Sequence, residues 1–187
     1  LLGTGSVNHA YFPKDVRHSL LNNTYKVALG RHFSVVLTVD SQLLSWGSAS
    51  LGQYLGSSAP VQIPSPINDT RFIDIAAGEN HVVLATADGR LYGFGLSLKG
   101  CLGSISDNQI ISAPIQLATK DDFGGGSALY VSAGPSQSLI VTTYYQLYVL
   151  GNGAEKEFGN LGVVTVPSKI PMDGKESASC YTAKVGV

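Results

Sequence analysis

The sequence predicts an all-β chain, a partial β-propeller of roughly three blades in which each blade is a small antiparallel sheet. Three observations predict it. One segment recurs about three times in succession, apolar residues within each copy keep a spacing near two, and glycine-bounded turn signals punctuate every copy. The 187 residues include 22 glycines and 9 tyrosines, a balance that suits many short strands joined by tight turns. Apolar residues make up 44% of the chain and charged ones only 13%, a balance that argues against a disordered chain.

The repeat is read by placing Gly30, Gly78 and Gly134 under one another. The segments Gly30–Gly47, Gly78–Gly95 and Gly134–Gly151 then align without a gap. They share a threonine (Thr38, Thr86, Thr142), a leucine (Leu43, Leu91, Leu147) and a large apolar residue before the closing glycine (Trp46, Phe94, Leu150). Upstream lie Val27-Ala28-Leu29, Ile75-Ala76-Ala77 and Val131-Ser132-Ala133. Downstream lie Leu55-Gly56, Leu102-Gly103 and Leu161-Gly162, each preceded by Gly52, Gly100 or Gly159. The whole chain, 1–187, reads as a single repeat domain with copies at about 25–70, 71–128 and 129–175 and a partial copy at each end. Leu2-Gly3 looks like the end of an earlier copy, and Lys184-Val185-Gly186 like the start of a later one.

Each copy reads as strands. Ile73 to Ala77 leads into a glycine turn, and His81 to Ala87 is an apolar, partly β-branched run. Asp88-Gly89 signals a two-residue type I′ hairpin, and Arg90 to Gly95 returns as the partner strand. Asp40-Ser41 is tolerable at the same turn. Tyr144-Tyr145 is poor turn chemistry, so the third hairpin is expected to be longer or irregular. One such sheet has two apolar faces and cannot bury both alone. It must stack on copies of itself, and sheets twisted alike fan about an axis. Trp46, Phe94 and Leu150 are then expected at equivalent buried positions between neighbouring sheets.

The motif Ala-Gly-x-x-His, an aliphatic strand, Asp-Gly, aromatic-Gly and Gly-x-Leu-Gly is fullest in the second copy. There it runs from Ala77-Gly78-Glu79-Asn80-His81 through Asp88-Gly89 and Phe94-Gly95 to Gly100-Cys101-Leu102-Gly103. The first copy adds Trp46-Gly47 and Gly52-Gln53-Tyr54-Leu55-Gly56. Over roughly residues 25 to 170 this closely resembles the repeat of the regulator of chromosome condensation family. The motif histidine is replaced by Phe33 in the first copy and Gln137 in the third, and the third copy also lacks Asp-Gly and carries the insert Ala118 to Leu129. The resemblance implies a seven-bladed ring, of which this chain would be a fragment. The remaining blades would come from a longer chain or a partner chain. The first residue, Leu1, with Met172 as the lone methionine, gives the same fragment-like impression.

Chemistry for catalysis is not assembled in the sequence. Asp122-Phe123-Gly124 matches the magnesium-binding triplet of kinases, but the strand lysine and His-Arg-Asp loop are missing. His9, His18, His32 and His81 lack metal spacing, and His81 is read as a structural hydrogen-bonding residue beside a turn. Gly93-Phe94-Gly95 ends a strand and opens no helix, so it is not read as a phosphate cradle. No metal or cofactor is expected. Cys101 and Cys180 read as free thiols of a reducing, intracellular compartment, cytoplasmic or nuclear. The triplets Asn22-Asn23-Thr24 and Asn68-Asp69-Thr70 are chance matches to a glycosylation signal in this reading. No apolar run is long enough for a membrane helix. Formal net charge is −1, and Lys14, Arg17, Lys26 and Arg31 are scattered, so a nucleic-acid footprint is missing.

The function this implies is a protein-interaction or scaffold module without enzymatic activity. Propeller faces are made of turns held by rigid sheets, and the turn residues least bound to the motif are Arg31, Glu79 and Asn80. They are the candidate contacts. The alternative implied by the resemblance is guanine-nucleotide exchange on a small GTPase. Exchange needs a wedge and an acidic face on particular blades, and no residue here is assigned to them.

Overall fold

The computed structural model of the chain describes residues 2–6, 8, 10–16, 18–48, 56–68, 70–103, 105, 107–153 and 162–170. Within them, three four-stranded antiparallel sheets follow one another along the chain. The first contains β1 (Thr24–Leu29), β2 (Phe33–Thr38), β3 (Leu43–Gly47) and β4 (Val61–Ile63). The second contains β5 (Phe72–Ala77), β6 (His81–Thr86), β7 (Leu91–Ser97) and β8 (Gln109–Ala118). The third contains β9 (Ala128–Ala133), β10 (Gln137–Thr142), β11 (Leu147–Gly153) and β12 (Gly162–Lys169). Strand order within each sheet is sequence order. Helix is confined, among the described residues, to single 3₁₀ turns at Ser19–Leu21 and Asp121–Phe123. The first strands β1, β5 and β9 lie side by side, so the sheets are three blades of a partial propeller, innermost strand first.

The gapless alignment is a structural equivalence. Phe33 pairs with Gly47, His81 with Gly95 and Gln137 with Gly151, so the same register recurs in every blade. Trp46, Phe94 and Leu150 are all buried, at 7%, 1% and 0% exposure. Each turns toward the preceding part of the chain. Phe94 packs with Val35, Leu37 and Leu43 of the first blade, and Leu150 with Ala85 and Leu91 of the second. Trp46 packs with Leu20 and Leu21, and Gly3 lies flat against its indole. Leu2 is half exposed and outside any strand, so it does not take up a position like Trp46. Of the glycine-leucine motifs, Gly100-Cys101-Leu102-Gly103 forms a turn that buries Cys101 and Leu102, with Gly100 close to Val163 and Thr165 of β12. Residues 52–55, Gly159, Leu161, Cys180 and Lys184 to Gly186 lie outside the described residues.

The second-to-third-strand hairpins correct two expectations. In each, the shared threonine hydroxyl takes the N–H four residues on: Gln42 to Thr38 at 2.9 Å, Arg90 to Thr86 at 2.9 Å and Gln146 to Thr142 at 3.3 Å. The N–H of Ser41, Gly89 or Tyr145 returns to the carbonyl of that threonine. These three residues take φ of 66°, 87° and 57°, whereas Asp88 does not have positive φ. The turn is therefore a three-residue loop ending in a left-handed residue rather than a two-residue type I′ turn, which needs positive φ at both central positions. The third hairpin is also as regular as the others. The threonine bonds and the fixed register hold Tyr145 in the left-handed region in spite of its Cβ.

Two outcomes test this packing. Phe94→Ala should destabilise the chain by roughly 3–5 kcal/mol through lost burial and the cavity left behind, read by denaturant unfolding. At the hairpins the sign should differ between blades. Tyr145→Gly should stabilise by roughly 0.5–1 kcal/mol, because it relieves left-handed strain at an exposed site. Gly89→Ala should destabilise, since its Cβ would press on Ser127 as well as adopt positive φ. Two changes of the same sign would contradict the equivalence.

Candidate functional site

The turns between first and second strands meet at one end of the inner strands. They surround an open recess of about 400 Å³. It is lined by the strand-end residues Leu29, Ala77 and Ala133 and the corner glycines Gly30, Gly78 and Gly134, with Arg31, Glu79 and Pro135 following them at its rim. These are three equivalent triplets, one from each repeat. A backbone relay joins the rim: Arg31 N–H donates to the Glu79 carbonyl at 3.1 Å, and Glu79 N–H donates to the Pro135 carbonyl at 3.3 Å. Proline has no N–H, so the relay cannot be passed on beyond Pro135.

Sequence reasoning named Arg31, Glu79 and Asn80. The structure brings Arg31 and Glu79 together as an ion pair across adjacent blades, with the arginine side chain 61% exposed and the glutamate 34%. Asn80 sits next to them, and its carbonyl accepts from Leu96 N–H at 2.8 Å. His32 and Ser136 make the same bond to Ser48 and Asn152, so that part of Asn80 is scaffold. An exposed pair of this kind contributes roughly 0–1 kcal/mol to stability, which leaves its charges available at little cost.

The residue three beyond each corner glycine folds back over it. The Phe33 ring covers Gly30, the His81 ring covers Gly78, and Gln137 covers Gly134. A Cβ at Gly78 would overlap the imidazole, which is why the motif spaces glycine and histidine by three. His81 is 1% exposed, and its Nε2 lies 3.0 Å from Ser138 Oγ of the third blade. It is therefore a structural hydrogen-bonding residue, as the sequence suggested. Burial pushes its pKa down from 6.5 to about 4, so it is neutral at ordinary pH.

Sequence reasoning missed Asp74. Its carboxylate is buried among the inner strands and ties all three blades together. Oδ1 accepts from Lys26 Nζ of the first blade at 2.6 Å and from Ile75 N–H at 2.7 Å. Oδ2 accepts from Val131 N–H of the third blade at 3.0 Å. The signal was present as a lone acid inside the apolar strand Phe72–Ala77. Lys26 and Arg31, which looked scattered in the sequence, are both paired to the second blade.

The remaining candidates have local partners. Asp122 caps Thr119 N–H at 2.8 Å, and Phe123 is buried edge-on against Tyr148, so the kinase-like triplet builds a turn. His18 Nδ1 accepts from Leu20 N–H, and His32 is exposed. His9, Arg17 and Asp69 lie outside the described residues. Burial raises the pKa of the Cys101 thiol, which makes it a poor nucleophile. Among the described residues, no cluster of three or more His, Cys, Asp or Glu could hold a metal. No described helix is long and apolar enough to cross a membrane.

Three stacked blades with one recurring turn set define a segment of a repeat-built β-propeller. The sequence pattern of the regulator of chromosome condensation (RCC1) repeat matches residues 72–101. The chain is 31% identical over 169 residues to the mitochondrial RCC1 domain-containing protein RUG3 of Arabidopsis thaliana, covering 85% of this chain and 36% of that one. It is 30% identical over 160 residues to the secretion-regulating guanine nucleotide exchange factor of Bos taurus, covering 81% and 34%. Prp20p of Saccharomyces cerevisiae, whose structure is described with its binding to Gsp1p and histones, superposes with a TM-score of 0.68 at 22% identity, covering 82% and 39%. The chain belongs to the RCC1 repeat family. It spans only about a third of the length of these relatives.

His81 gives a pH test. Its folded pKa lies below its unfolded value, so its contribution to stability is complete above about pH 6.5. As pH falls from 6.5 toward 4 the unfolded state takes up a proton that the folded state refuses, and stability declines by about 3 kcal/mol. His81→Gln, the choice made at Gln137, should fold and lose that pH slope. An unchanged slope between pH 4 and 6.5 would contradict the assignment.

Proposed function

We propose that the chain is part of a non-catalytic protein-interaction module, and that the recess rimmed by Arg31 and Glu79, with Asn80 beside it, is its contact surface. One observation carries this reading. Three consecutive repeats deliver equivalent turns to one recess, with exposed charged side chains on a backbone fixed by the sheets and by the rim relay. An acidic or basic group on a partner could exchange with one member of the Arg31–Glu79 pair, while Leu29 offers apolar contact. The reading has the partner as another protein and takes no nucleic acid, membrane, metal or cofactor as ligand. Its compartment is inside the cell, and the mitochondrial relative adds the mitochondrion to the cytoplasm and nucleus as a candidate.

The second reading is nucleotide exchange on a small GTPase, favoured by the relative named as a guanine nucleotide exchange factor. The fold alone does not choose between them, because function resides in sites placed on a shared fold.

A photocrosslinking residue at position 80, compared with one at Tyr144 at the β10–β11 turn, tests the recess in the full protein. The expected outcome is a discrete protein adduct from position 80 that weakens in Arg31→Glu and Glu79→Arg singly. Equal labelling from both positions would refute it. The exchange reading is decided separately by nucleotide release from a panel of small GTPases, where acceleration of tenfold or more is its signature.

A further inference from the structure

The junction between the first and second blades carries one bond that the next junction makes differently. Phe72 and Ala128 open the inner strands β5 and β9 and pair with the equivalent threonines Thr86 and Thr142. Each N–H crosses to the β-hairpin of the preceding blade. Ala128 N–H donates to the main-chain carbonyl of Gly89 at 3.1 Å. Phe72 N–H donates instead to the side-chain Oγ of Ser41, at 2.7 Å. Ser41 and Gly89 occupy the same hairpin position, with φ of 66° and 87°. That backbone region favours glycine, so the turn itself gives no reason for a serine. The two acceptors also differ in chemistry. A main-chain carbonyl is inert, whereas a serine hydroxyl can be esterified. This hairpin lies at the opposite end of the sheets from the recess.

A second observation supplies a partner for a group placed on that hydroxyl. Arg71 and Ser127 are equivalent, because their carbonyls accept from Ala87 N–H and Thr143 N–H, each at 2.9 Å. In the second junction a Cβ added to Gly89 would lie 2.5 Å from the Cβ of Ser127 and 2.4 Å from its Oγ. Side chains at these two positions therefore face each other, and in the first junction they belong to Ser41 and Arg71. Arg71 is exposed, and its guanidinium has no partner among the described residues. An unpaired cation thus stands beside a hydroxyl at which a main-chain N–H is already aimed. Asp40, the acid next to Ser41, is exposed, so solvent and salt screen its repulsion of a second anion.

We propose that Ser41 is a phosphorylation site, and that Arg71 and the Phe72 N–H hold its phosphate and so tighten the junction between the first two blades. A serine kinase using ATP supplies the group. The Ser41 Oγ–phosphorus bond forms, the bond from the γ-phosphorus to the β,γ-bridging oxygen breaks, ADP leaves, and the hydroxyl proton passes to the base of the kinase. The product carries a charge of about −1.5 to −2 and three strong acceptor oxygens. A guanidinium donates to phosphate through two parallel N–H groups, and one phosphate oxygen can take the Phe72 N–H that Oγ now accepts. The second junction has no such site, since Gly89 offers no hydroxyl and Ser127 stands in place of the arginine.

The test places phosphoserine at position 41 of the full protein by stop-codon suppression and compares thermal unfolding with the unmodified form. The phosphate should raise the thermal midpoint by roughly 3 °C. Arg71→Gln, at an exposed position, should leave the unmodified protein nearly unchanged and remove the gain. An unchanged or lower midpoint, or a gain that survives Arg71→Gln, would overturn the proposal. Phosphopeptide mapping of the protein isolated from its own cells should find the group on Ser41. Recovery of the Val39–Gln42 hairpin in the unmodified form alone would overturn the proposal equally.

Discussion

Everything in this molecule follows from one constraint: a four-stranded sheet with two apolar faces cannot bury both by itself. The strands β2 and β6 are buried along their whole length, with Val35, Leu37, Val82 and Leu84 at no measurable exposure. No single sheet provides that cover. The first and second blades share one apolar cluster and the second and third share another. Stability is therefore held between neighbours, as in other repeat architectures. The polar contacts obey the same logic. Asp74 and His81 both reach from the second blade to the third, and Asp74 also to the first.

The sequence disclosed the parts of the fold that depend on side-chain type at fixed spacing. Glycine three before His81 is legible because only a missing Cβ admits the ring, and the shared threonine is legible because its hydroxyl closes every hairpin turn. Trp46, Phe94 and Leu150 stood out because each fills the same gap. What could not be read depended on contacts between blades. Asp-Gly suggests a type I′ turn on local grounds, but the threonine bonds select a three-residue loop, and they force Tyr145 into a conformation its own chemistry disfavours. Asp74 has no local reason to be buried, and its reason appears only when Lys26 and Val131 are brought beside it.

The recess was legible only in outline. Arg31, Glu79 and Asn80 could be picked out as turn residues unexplained by the motif, yet their pairing required the third dimension. Pro135, the residue that ends the rim relay, sits at the aligned position and could have been named with them. The contrast between rim and core is physical. Core positions are dictated by packing and recur from blade to blade, whereas Arg31, Glu79 and Pro135 differ at one equivalent position. Variation on a fixed frame is how a shared fold comes to serve different partners.

Hydrogen exchange on Leu84→Ala tests the central claim most directly. Leu84 belongs to the second blade and packs in the cluster shared with the first. If stability resides between blades, the substitution should lower amide protection in β2 as well as in β6 and β7, with a smaller loss in β10 and β11. Loss confined to the second blade, with β2 as protected as before, would contradict the account.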